Sequence, residues 1–567
     1  MSSAVGSAAT STDRRSSDRD PAALAAPVIG RGALPGWLLL LLGAGAAALS
    51  AVGSWHVSVW YDEAATITAG TRSWSDLLHL VRQTNAVQGV FYAFAHLWFD
   101  VAGTSPFALR LPSALSVGVA AAGTAWLAAR ALPRRSAVAA GVVVALLPRV
   151  TWAGVEGRPF APAMALAVVL SVVLVVALER GLRRWWVLYA AVAALSVAVF
   201  VYTAMLVVVH GLVLWGARRT PWSARVRWLV ASTAAAVAAS PVVLVSSGQT
   251  SQLGIAERPS VVWVARRLLV NEFFLGTTPA PVAEGVRAAA ATGQTGAPLW
   301  QVAGVLLAVA GWSLAVVGLL RWGRAVTAAR TATGGGSTGA SPGRLLALVV
   351  LWLVLPAAVV CGWSVLVSPV YGPRYLVFCA PALAVLVGHG LAQLPARRWW
   401  SAVVVVLLLA LVVPVYASQR TAYAKSAGDW SGVAAAVAAG SEPGDGVYFT
   451  PRFKGGPDEP GPSTVRQARV AYPAAFAGLE DLTLARSAAD VGQLLAEDRP
   501  LADASGRLAE LEAVWVVRRL DQPAQAVVRD DAVLEAAGLT GREVWRGPQD
   551  EVLVYERTNE QNGARSS

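Results

Sequence analysis

Six charged residues stand at the ends of long apolar segments, where charge is unusual. They are Asp62, Glu63, Arg110, Glu156, Arg158 and Arg374. A carboxylate can accept the proton of an attacking hydroxyl group, and arginine can hold a phosphate group through two parallel hydrogen bonds. These residue types therefore fit a transfer reaction in which a hydroxyl attacks and a phosphate leaves.

Several common catalytic sites are missing from the sequence. Lys425 and Lys454 are the only lysines, and neither follows a glycine in the pattern that binds nucleotide phosphates. The sequence contains no His-Glu-x-x-His and no Gly-x-Ser-x-Gly pattern. Cys361 and Cys379 each lie inside an apolar run and cannot form a disulfide framework or a zinc site. We expect both to be small buried residues, with a bridge between two helix ends as the alternative.

The composition indicates a protein that folds in lipid. Hydrophobic residues make up 56% of the 567 positions, charged residues only 14%, and the mean hydropathy is +0.54. A soluble domain carries about 25% charged residues. The net charge of +12 could suggest nucleic acid. However, the arginines form short runs between apolar segments, which is the pattern of cytoplasmic loops, so nucleic acid is excluded as a partner.

The apolar segments predict about eleven membrane-spanning helices, because each approaches the length that crosses a bilayer. The first, from Gly36 to about Ser54, is interpreted as an uncleaved helix and not as a signal peptide. The others lie at about 107–130, 136–153, 159–178, 185–200, 201–217, 226–245, 299–320, 345–367, 375–394 and 399–416.

The arginines predict the orientation. With a cytoplasmic N-terminus, every inner loop carries at least two arginines, as the positive-inside rule requires. Merging 185–217 into one helix would place the later arginine loops on the wrong side. Eleven helices then put the C-terminal part and all six charged residues outside the cytoplasm. The protein is thus predicted to be a multi-pass plasma-membrane protein.

The remaining segments predict the domain organisation. Residues 1–35 read as a disordered cytoplasmic tail, and 36–417 as the membrane module. Two long outer loops, 55–106 and 246–298, interrupt this module, and the second includes an apolar stretch, Val261 to Leu275, typical of an interfacial helix. The stretch Thr333 to Gly343 reads as a flexible inner loop. Residues 418–567 alternate helix and strand patterns, which predicts a small α/β domain.

Two interpretations of the six charges remain open. Each alone could be a solvated loop charge, and Glu156 could simply pair with Arg158. Their common depth favours a site, because charges in the apolar zone cost roughly 2.5–3.5 kcal/mol each and usually mark function.

The order of these motifs resembles the GT-C superfamily of polyprenyl-phosphate-sugar glycosyltransferases, in particular the family 39-like members of actinobacterial type, which are similar to protein mannosyltransferases. The Asp-Glu pair after the first helix and the Phe-x-x-Arg-Leu-Pro-Ser start of the second carry the resemblance. Further matching pieces are Phe91-Tyr92, His96-Leu97-Trp98, Gly103-Thr104-Ser105, Glu156 to Pro159, Pro373 to Leu376, Asp429-Trp430 and Pro443-Gly444-Asp445.

The resemblance implies a function and a role for each site residue. A sugar, mannose or another hexose or pentose, would pass from a polyprenyl phosphate to the hydroxyl of a glycan, lipid or protein acceptor, with inversion. Asp62 would be the general base, and Glu63 and Glu156 would orient groups or pair with Arg158. Arg374, Arg158 and Arg110 would hold the phosphate, and Tyr375 and His96 would contact substrate. For His96, a place on an amphipathic helix is the alternative.

The first loop departs from the family pattern. Relatives often have Asp-x-x-His where this chain has Asn85-Ala86-Val87-Gln88. A second acid or a metal ligand supplied by that pattern would be missing, so the sequence gives no support for a divalent cation, and no other cofactor is indicated.

Two other functions compete with the transferase. A transporter or flippase for a lipid-linked glycan usually shows charges in the middle of helices and repeated halves, and neither is evident. A non-catalytic scaffold in cell-envelope assembly would act through the C-terminal domain.

Overall fold

The computed structural model describes residues 33–218, 220–249, 259–276, 299–332, 342–394, 398–425, 427–452 and 459–557. Three predicted segments lie wholly or largely outside these residues. They are the tail 1–35, the stretch Thr333 to Gly343 and most of the outer loop 246–298.

The membrane module is a bundle of helices connected mostly by short turns. Its first part contains α1 (Gly36–Ala51), α2 (Tyr61–Gly70), α3 (Trp74–Gln83), α4 (Gly89–Ala102), α5 (Pro106–Ala128), α6 (Arg134–Leu146), α7 (Pro148–Gly154), α8 (Phe160–Arg180), α9 (Arg183–Val199), α10 (Ala204–Gly216) and α11 (Trp222–Ser247). Its second part contains α12 (Val261–Arg266), a π-helix (Arg267–Leu275), α13 (Leu299–Ala332), α14 (Pro342–Leu366), α15 (Ala380–Leu391) and α16 (Arg398–Ser418).

Each of the eleven predicted apolar segments contains a helix, but the helices differ in length. Among the described residues, six are long and apolar enough to cross a membrane, and the bent pair α6–α7 makes a seventh. The other four predicted spans, α1, α9, α10 and α15, have 16, 17, 13 and 12 residues. Since a crossing takes about 20 residues, the count of eleven crossings stays a prediction.

Local chemistry explains where two helices break. Pro148 starts α7, and because a residue before proline is pushed out of the helical region, Leu147 is extended at φ −59° and ψ 124°. The result is a 58° bend between α6 and α7. Phe200, also extended, separates α9 from α10, so the segment 185–217 forms two helices, as predicted.

The C-terminal domain is a small α/β unit. It contains α17 (Trp430–Gly440), β1 (Gly446–Thr450), α18 (Gln467–Ala471), β2 (Glu480–Asp481), β3 (Leu484–Arg486), β4 (Glu497–Asp498), α19 (Ser505–Leu508), β5 (Ala513–Arg519), α20 (Ala524–Ala536), β6 (Leu539–Arg546) and β7 (Asp550–Arg557). The main sheet has the order β2-β1-β5-β7-β6, with β1 parallel to β2 and β5 and the other pairs antiparallel. Alternate side chains of β5 bury against opposite faces, Trp515 toward α17 and Val516 toward α20.

The first outer loop and the C-terminal domain pack against each other. Val59, just before α2, and Ile67, within α2, share one apolar cluster with Val433 of the domain. The Tyr472 hydroxyl accepts a hydrogen bond of 3.0 Å from the Val59 N–H. The domain therefore lies directly over α2.

Two further predictions concern small elements. The apolar stretch Val261 to Leu275 is helical throughout, with α12 continuing into the π-helix. Cys361 and Cys379 are both buried and unbridged.

Candidate active site

Asp62 and Glu63 occupy the first turn of α2. Two acidic residues at a helix N-terminus are favoured by the partial positive charge of that end. Successive residues of a helix point in different directions, and here the two carboxylates have different surroundings. The Asp62 side chain is 18% exposed, whereas the Glu63 side chain is fully buried.

Glu63 forms a buried ion pair with Arg110 of α5. Arg110 Nε and Nη2 donate to the two carboxylate oxygens at 2.8 and 2.5 Å. The other N–H groups of Arg110 donate to the backbone oxygens of Ser54, Val57 and Ser58. A guanidinium has five N–H groups, so every one of them has an acceptor. This differs from the expectation that Arg110 binds phosphate, because the pair with Glu63 and the turn before α2 already occupy it.

Arg374 connects two of the three carboxylates. Its Nη2 lies 2.9 Å from Asp62 Oδ2, and its Nη1 lies 3.8 Å from Glu156 Oε1. The guanidinium also lies over the rings of Trp60 and Phe160, 5.3 Å from each centroid. Aromatic faces on this flat cation fix its plane and keep water from it. Arg374 is thereby held with one edge toward Asp62.

A fully buried carboxylate on the second outer loop fixes the turn that carries Arg374. Glu272, in the π-helix, accepts a hydrogen bond of 3.0 Å from the Tyr371 hydroxyl and one of 3.1 Å from the Leu376 N–H. These two donors bracket Arg374 in sequence. Arg149 in turn donates to the Glu272 backbone oxygen at 3.2 Å. A π-helix at this place is consistent with a functional site, where such irregular turns are frequent.

Arg158 binds the N-terminal turn of α2 and does not pair with its sequence neighbour Glu156. Its Nη1 donates to the Asp62 backbone oxygen at 3.2 Å and to the Tyr92 hydroxyl at 3.3 Å. Among the ion pairs of the described residues, none joins Arg158 to Glu156. The interpretation of these two residues as a simple salt bridge within the turn is therefore wrong.

Glu156 and Lys425 are two fully buried charges of opposite sign that lack hydrogen-bond partners within the described chain. Burial raises the pKa of the Glu156 carboxyl to about 7, although Lys425 and Arg374 lower it. Burial lowers the pKa of the Lys425 ammonium to about 8, although Glu156 and Glu63 raise it. The Lys425 Nζ lies 3.7 Å from the centroid of the Trp152 ring.

Asp62 has the opposite electrostatic balance from Glu156. Burial raises the pKa of its carboxyl, but the guanidinium groups of Arg374 and Arg158 outweigh this and hold the pKa below its usual range. Asp62 is therefore ionised at neutral pH.

The two remaining predicted residues lie apart from this cluster or at its edge. His96 contacts the far end of α2, where Nδ1 lies 3.0 Å from the Gly70 oxygen and the ring lies 4.3 Å from that of Trp74. Eight residues of helix separate Gly70 from Asp62, about 12 Å along the axis. Tyr375 stacks on Tyr202 at 5.6 Å and on Phe160 at 6.2 Å, so it belongs to the aromatic wall beside Arg374.

A cavity of about 280 Å³ opens between the start of α2 and the C-terminal domain. Its wall is formed by Val59, Trp60, Tyr61, Lys425, Gly428, Trp430, Thr464, Val465, Arg519, Gln549 and Asp550. It adjoins the site because Lys425, which interacts electrostatically with Asp62, forms part of its wall. Within the described residues, no group of three His, Cys, Asp or Glu side chains is arranged to hold a metal ion.

Lys425 and Glu272 belong to the site but were not identified from the sequence. Lys425 was noticed only as a lysine without a phosphate-loop pattern. Its rarity beside so many arginines was the available signal, since Lys454 is the only other lysine. Glu272 lies in a loop whose charges and apolar residues gave no indication of a partner about a hundred positions later.

Comparisons with known proteins give a family match over part of the chain and a shared fold over most of it. Residues 89–244 match the family model described as Dolichyl-phosphate-mannose-protein mannosyltransferase. The crystal structure of ArnT from Cupriavidus metallidurans in the apo state matches with a TM-score of 0.53 and 14% identity, covering 92% of this chain and 98% of that one. ArnT bound to undecaprenyl phosphate gives a TM-score of 0.53 and 13% identity, with the same shares. The Archaeoglobus fulgidus oligosaccharyltransferase in the apo form reaches a TM-score of 0.45 and 11% identity, covering 90% of this chain and 74% of that one. No curated protein matches.

The fold prediction and the resemblance are thus confirmed. The chain is a membrane protein with a helix bundle and a small C-terminal α/β domain, in an ArnT-like GT-C fold.

Proposed function

We propose that this protein transfers a sugar from a polyprenyl phosphate to the hydroxyl group of an acceptor, with inversion at the anomeric carbon. The observation that carries the proposal is the Asp62–Arg374 pair, an ionised and partly exposed carboxylate 2.9 Å from a guanidinium. A base for the hydroxyl and a cation for the phosphate are the two groups that this reaction requires.

The reaction proceeds in one displacement. Asp62 accepts the proton of the acceptor hydroxyl while the oxygen of that hydroxyl forms a bond to the anomeric carbon. The bond from that carbon to the phosphate oxygen breaks, and its electron pair stays on the departing polyprenyl phosphate. Arg374 holds that phosphate, since one edge faces Asp62 and Nη1 has no hydrogen-bond partner in the described chain. Arg158 contributes by donating a hydrogen bond to the Asp62 backbone oxygen, which holds the start of α2 in place.

The assignment of a polyprenyl carrier rests on the fold and on the membrane. ArnT, whose fold this chain shares, has been crystallised with undecaprenyl phosphate. The donor sugar is a hexose or pentose such as mannose, and the acceptor is a glycan, a lipid or a protein. The cavity beside Trp60 and Trp430 gives such an acceptor a place next to Asp62.

The charge distribution supports an outward-facing site. In α5, Arg110 belongs to the site end, and Arg130 follows the opposite end and lies 3.1 Å from Glu179 of α8. Twenty residues of helix separate Arg110 from Arg130, about 30 Å, the thickness of the apolar bilayer core. We infer that the end of the bundle that carries Arg130 faces the cytoplasm, as does the N-terminus. Residues 36–417 then form the catalytic module, and 418–567 form a domain on the outer face of the plasma membrane.

A donor panel tests the function. Purified protein in liposomes is incubated with polyprenyl phosphates carrying mannose, other hexoses or pentoses, together with membrane lipids and glycans as acceptors. We expect release of free polyprenyl phosphate and glycosylated acceptor with one donor class. Asp62→Asn should abolish most of this product formation. Asp503→Asn, on the exposed surface of the C-terminal domain, should leave it unchanged. Failure of every donor to bind or react would contradict the proposal.

A further inference from the structure

Lys425 is a buried cation whose Nζ has no hydrogen-bond acceptor among the described residues, which is a costly arrangement. Its side chain is fully buried, and its Nζ lies 3.7 Å from the centroid of the Trp152 ring. Burial of a charge costs free energy unless the charge is paired, and buried charges without partners cluster at functional sites. Lys425 therefore needs an anion.

Among the described residues, no carboxylate forms a hydrogen bond with Lys425. Both oxygens of Glu63 accept hydrogen bonds from Arg110, and Asp62 is paired with Arg374. Glu156 interacts with Lys425 electrostatically but makes no hydrogen bond to it.

Lys425 lines the cavity beside the site, although its side chain is buried. It follows α16, in the connection to the C-terminal domain, and it forms part of the wall of the cavity beside Trp60 and Tyr61. The positive charge of Lys425 lowers the pKa of the nearby Asp62 carboxyl. An anion bound beside Asp62 would thus lie near the ammonium of Lys425 and the guanidinium of Arg374.

We infer that Lys425 binds the phosphate of the polyprenyl carrier and stabilises the negative charge that this phosphate gains as the sugar leaves. This inference rests on the proposed function and names a further catalytic residue for it. The donor is a phosphodiester with one negative charge, and the product is a phosphomonoester that carries up to two. The ammonium group of lysine is a compact point charge without a preferred bidentate geometry, which suits a charge that grows during the reaction.

The difference between donor and product gives a sharp test. Lys425→Met keeps much of the length and apolar stem but removes the charge. We expect kcat to fall by roughly 10²–10³-fold, as on removal of one group that stabilises developing charge. The affinity for polyprenyl monophosphate should fall by about tenfold or more, and the affinity for the sugar-loaded donor should fall less, because only the product carries the additional charge. Lys425→Arg, which keeps the positive charge, should show smaller losses of both kcat and affinity.

A purely structural role predicts a different result. If Lys425 only neutralises Glu156, Lys425→Met should lower the affinities for donor and product to the same extent. We expect the larger loss for the product. Equal losses of donor and product affinity in Lys425→Met would overturn the inference.

Labelling of the unmodified protein gives a test that does not depend on the folding of any variant. Because the chain has only two lysines, acylation by a small amine reagent can be read at Lys425 with Lys454 as the internal reference. Polyprenyl phosphate should protect Lys425 and leave Lys454 unchanged. Equal labelling of Lys425 with and without polyprenyl phosphate would contradict a phosphate site there. Protein that neither binds polyprenyl phosphate nor transfers sugar would instead contradict the proposed function itself.

Discussion

Three carboxylates in one site have three different environments, and these suggest three roles. Asp62 is ionised and accessible, Glu63 is fully paired with Arg110, and Glu156 is buried with a pKa of about 7. Carboxyl groups whose surroundings separate their pKa values often divide acid and base roles in this way. Asp62 is the candidate base, and Glu156 now ranks before Glu63 as the alternative, because Glu63 has no free oxygen.

The substitution Asp62→Asn tests the base directly. Asparagine keeps the size of the side chain but lacks the basic oxygen, so turnover should fall by roughly 10²–10⁴-fold. Donor affinity should be retained, because the substitution releases Arg374 for the phosphate. Steady-state kinetics and donor binding on the same preparation measure both. A variant that binds donor and transfers at the parent rate would remove Asp62 from the mechanism and make Glu156 the next candidate.

The substitution Glu63→Gln should act on folding more than on chemistry. It leaves the buried guanidinium of Arg110 without a counter-charge, and loss of one partner of such a pair typically costs about 3–5 kcal/mol. We expect a lower thermal midpoint and lower yield of folded protein in detergent. The exposed pair Arg542–Glu556 offers the matched control, Glu556→Gln. Folded Glu63→Gln protein with normal stability and no activity would instead place Glu63 in the chemistry.

Glu156 should make the stability of the protein depend on pH. Its pKa rises from 4.5 to about 7 on folding, so the neutral form is favoured in the folded state. The folded state is then relatively most stable below pH 4.5 and loses this stability as pH rises through 7. Glu156→Gln, which cannot ionise, should therefore gain in thermal midpoint over the parent between pH 5 and pH 8. Parallel melting curves for the two proteins across this range would contradict the shift.

At the scale of elements, the sequence predicted the helices better than their contacts. Runs of apolar residues identify a helix such as α8 without any knowledge of its neighbours, and the alternating pattern of residues 418–567 predicted the small α/β domain. The pairing of Glu63 with Arg110, or of Glu272 with Tyr371, depends on how distant segments pack. No periodicity encodes such a contact, so Arg110 was assigned to the phosphate. The common level of Asp62, Glu156 and Arg374 was accessible to sequence reasoning because each of them stands at a helix end.

The turn before α15 can be tested through its anchor. Tyr371→Phe removes the hydroxyl that donates to Glu272, which should loosen the turn that carries Arg374 without touching Arg374 itself. We expect weaker donor binding and lower turnover together, by up to about 100-fold, since small displacements of a binding group are costly. Tyr423→Phe, at a half-exposed tyrosine, is the control. An unchanged donor KM in Tyr371→Phe would show that the anchor does not position Arg374.

At the scale of the whole molecule, the two ends of the helix bundle differ in charge chemistry. The end that carries Asp62, Glu156 and Arg374 buries acidic and basic groups together beneath the C-terminal domain. The opposite end carries exposed arginines at helix termini, such as Arg180 and Arg183. The positive-inside rule assigns the second end to the cytoplasm. With this orientation, the proposed transferase would act where nucleotide sugars are absent and would need a lipid carrier for its sugar.

Reporter fusions test this orientation. A reporter attached after Ser567 should be active only in a form that requires export, such as alkaline phosphatase. A reporter inserted at Gly181, in the exposed turn between α8 and α9, should be active only in a form that requires the cytoplasm. The physical reason is that Arg180, Arg183 and Arg184 flank that turn and resist translocation. Substituting all three by glutamine provides the control, because it weakens the bias without altering the helices. Exported signal at Gly181 in the parent protein would place the site on the cytoplasmic face, where a nucleotide sugar could replace the lipid-linked donor.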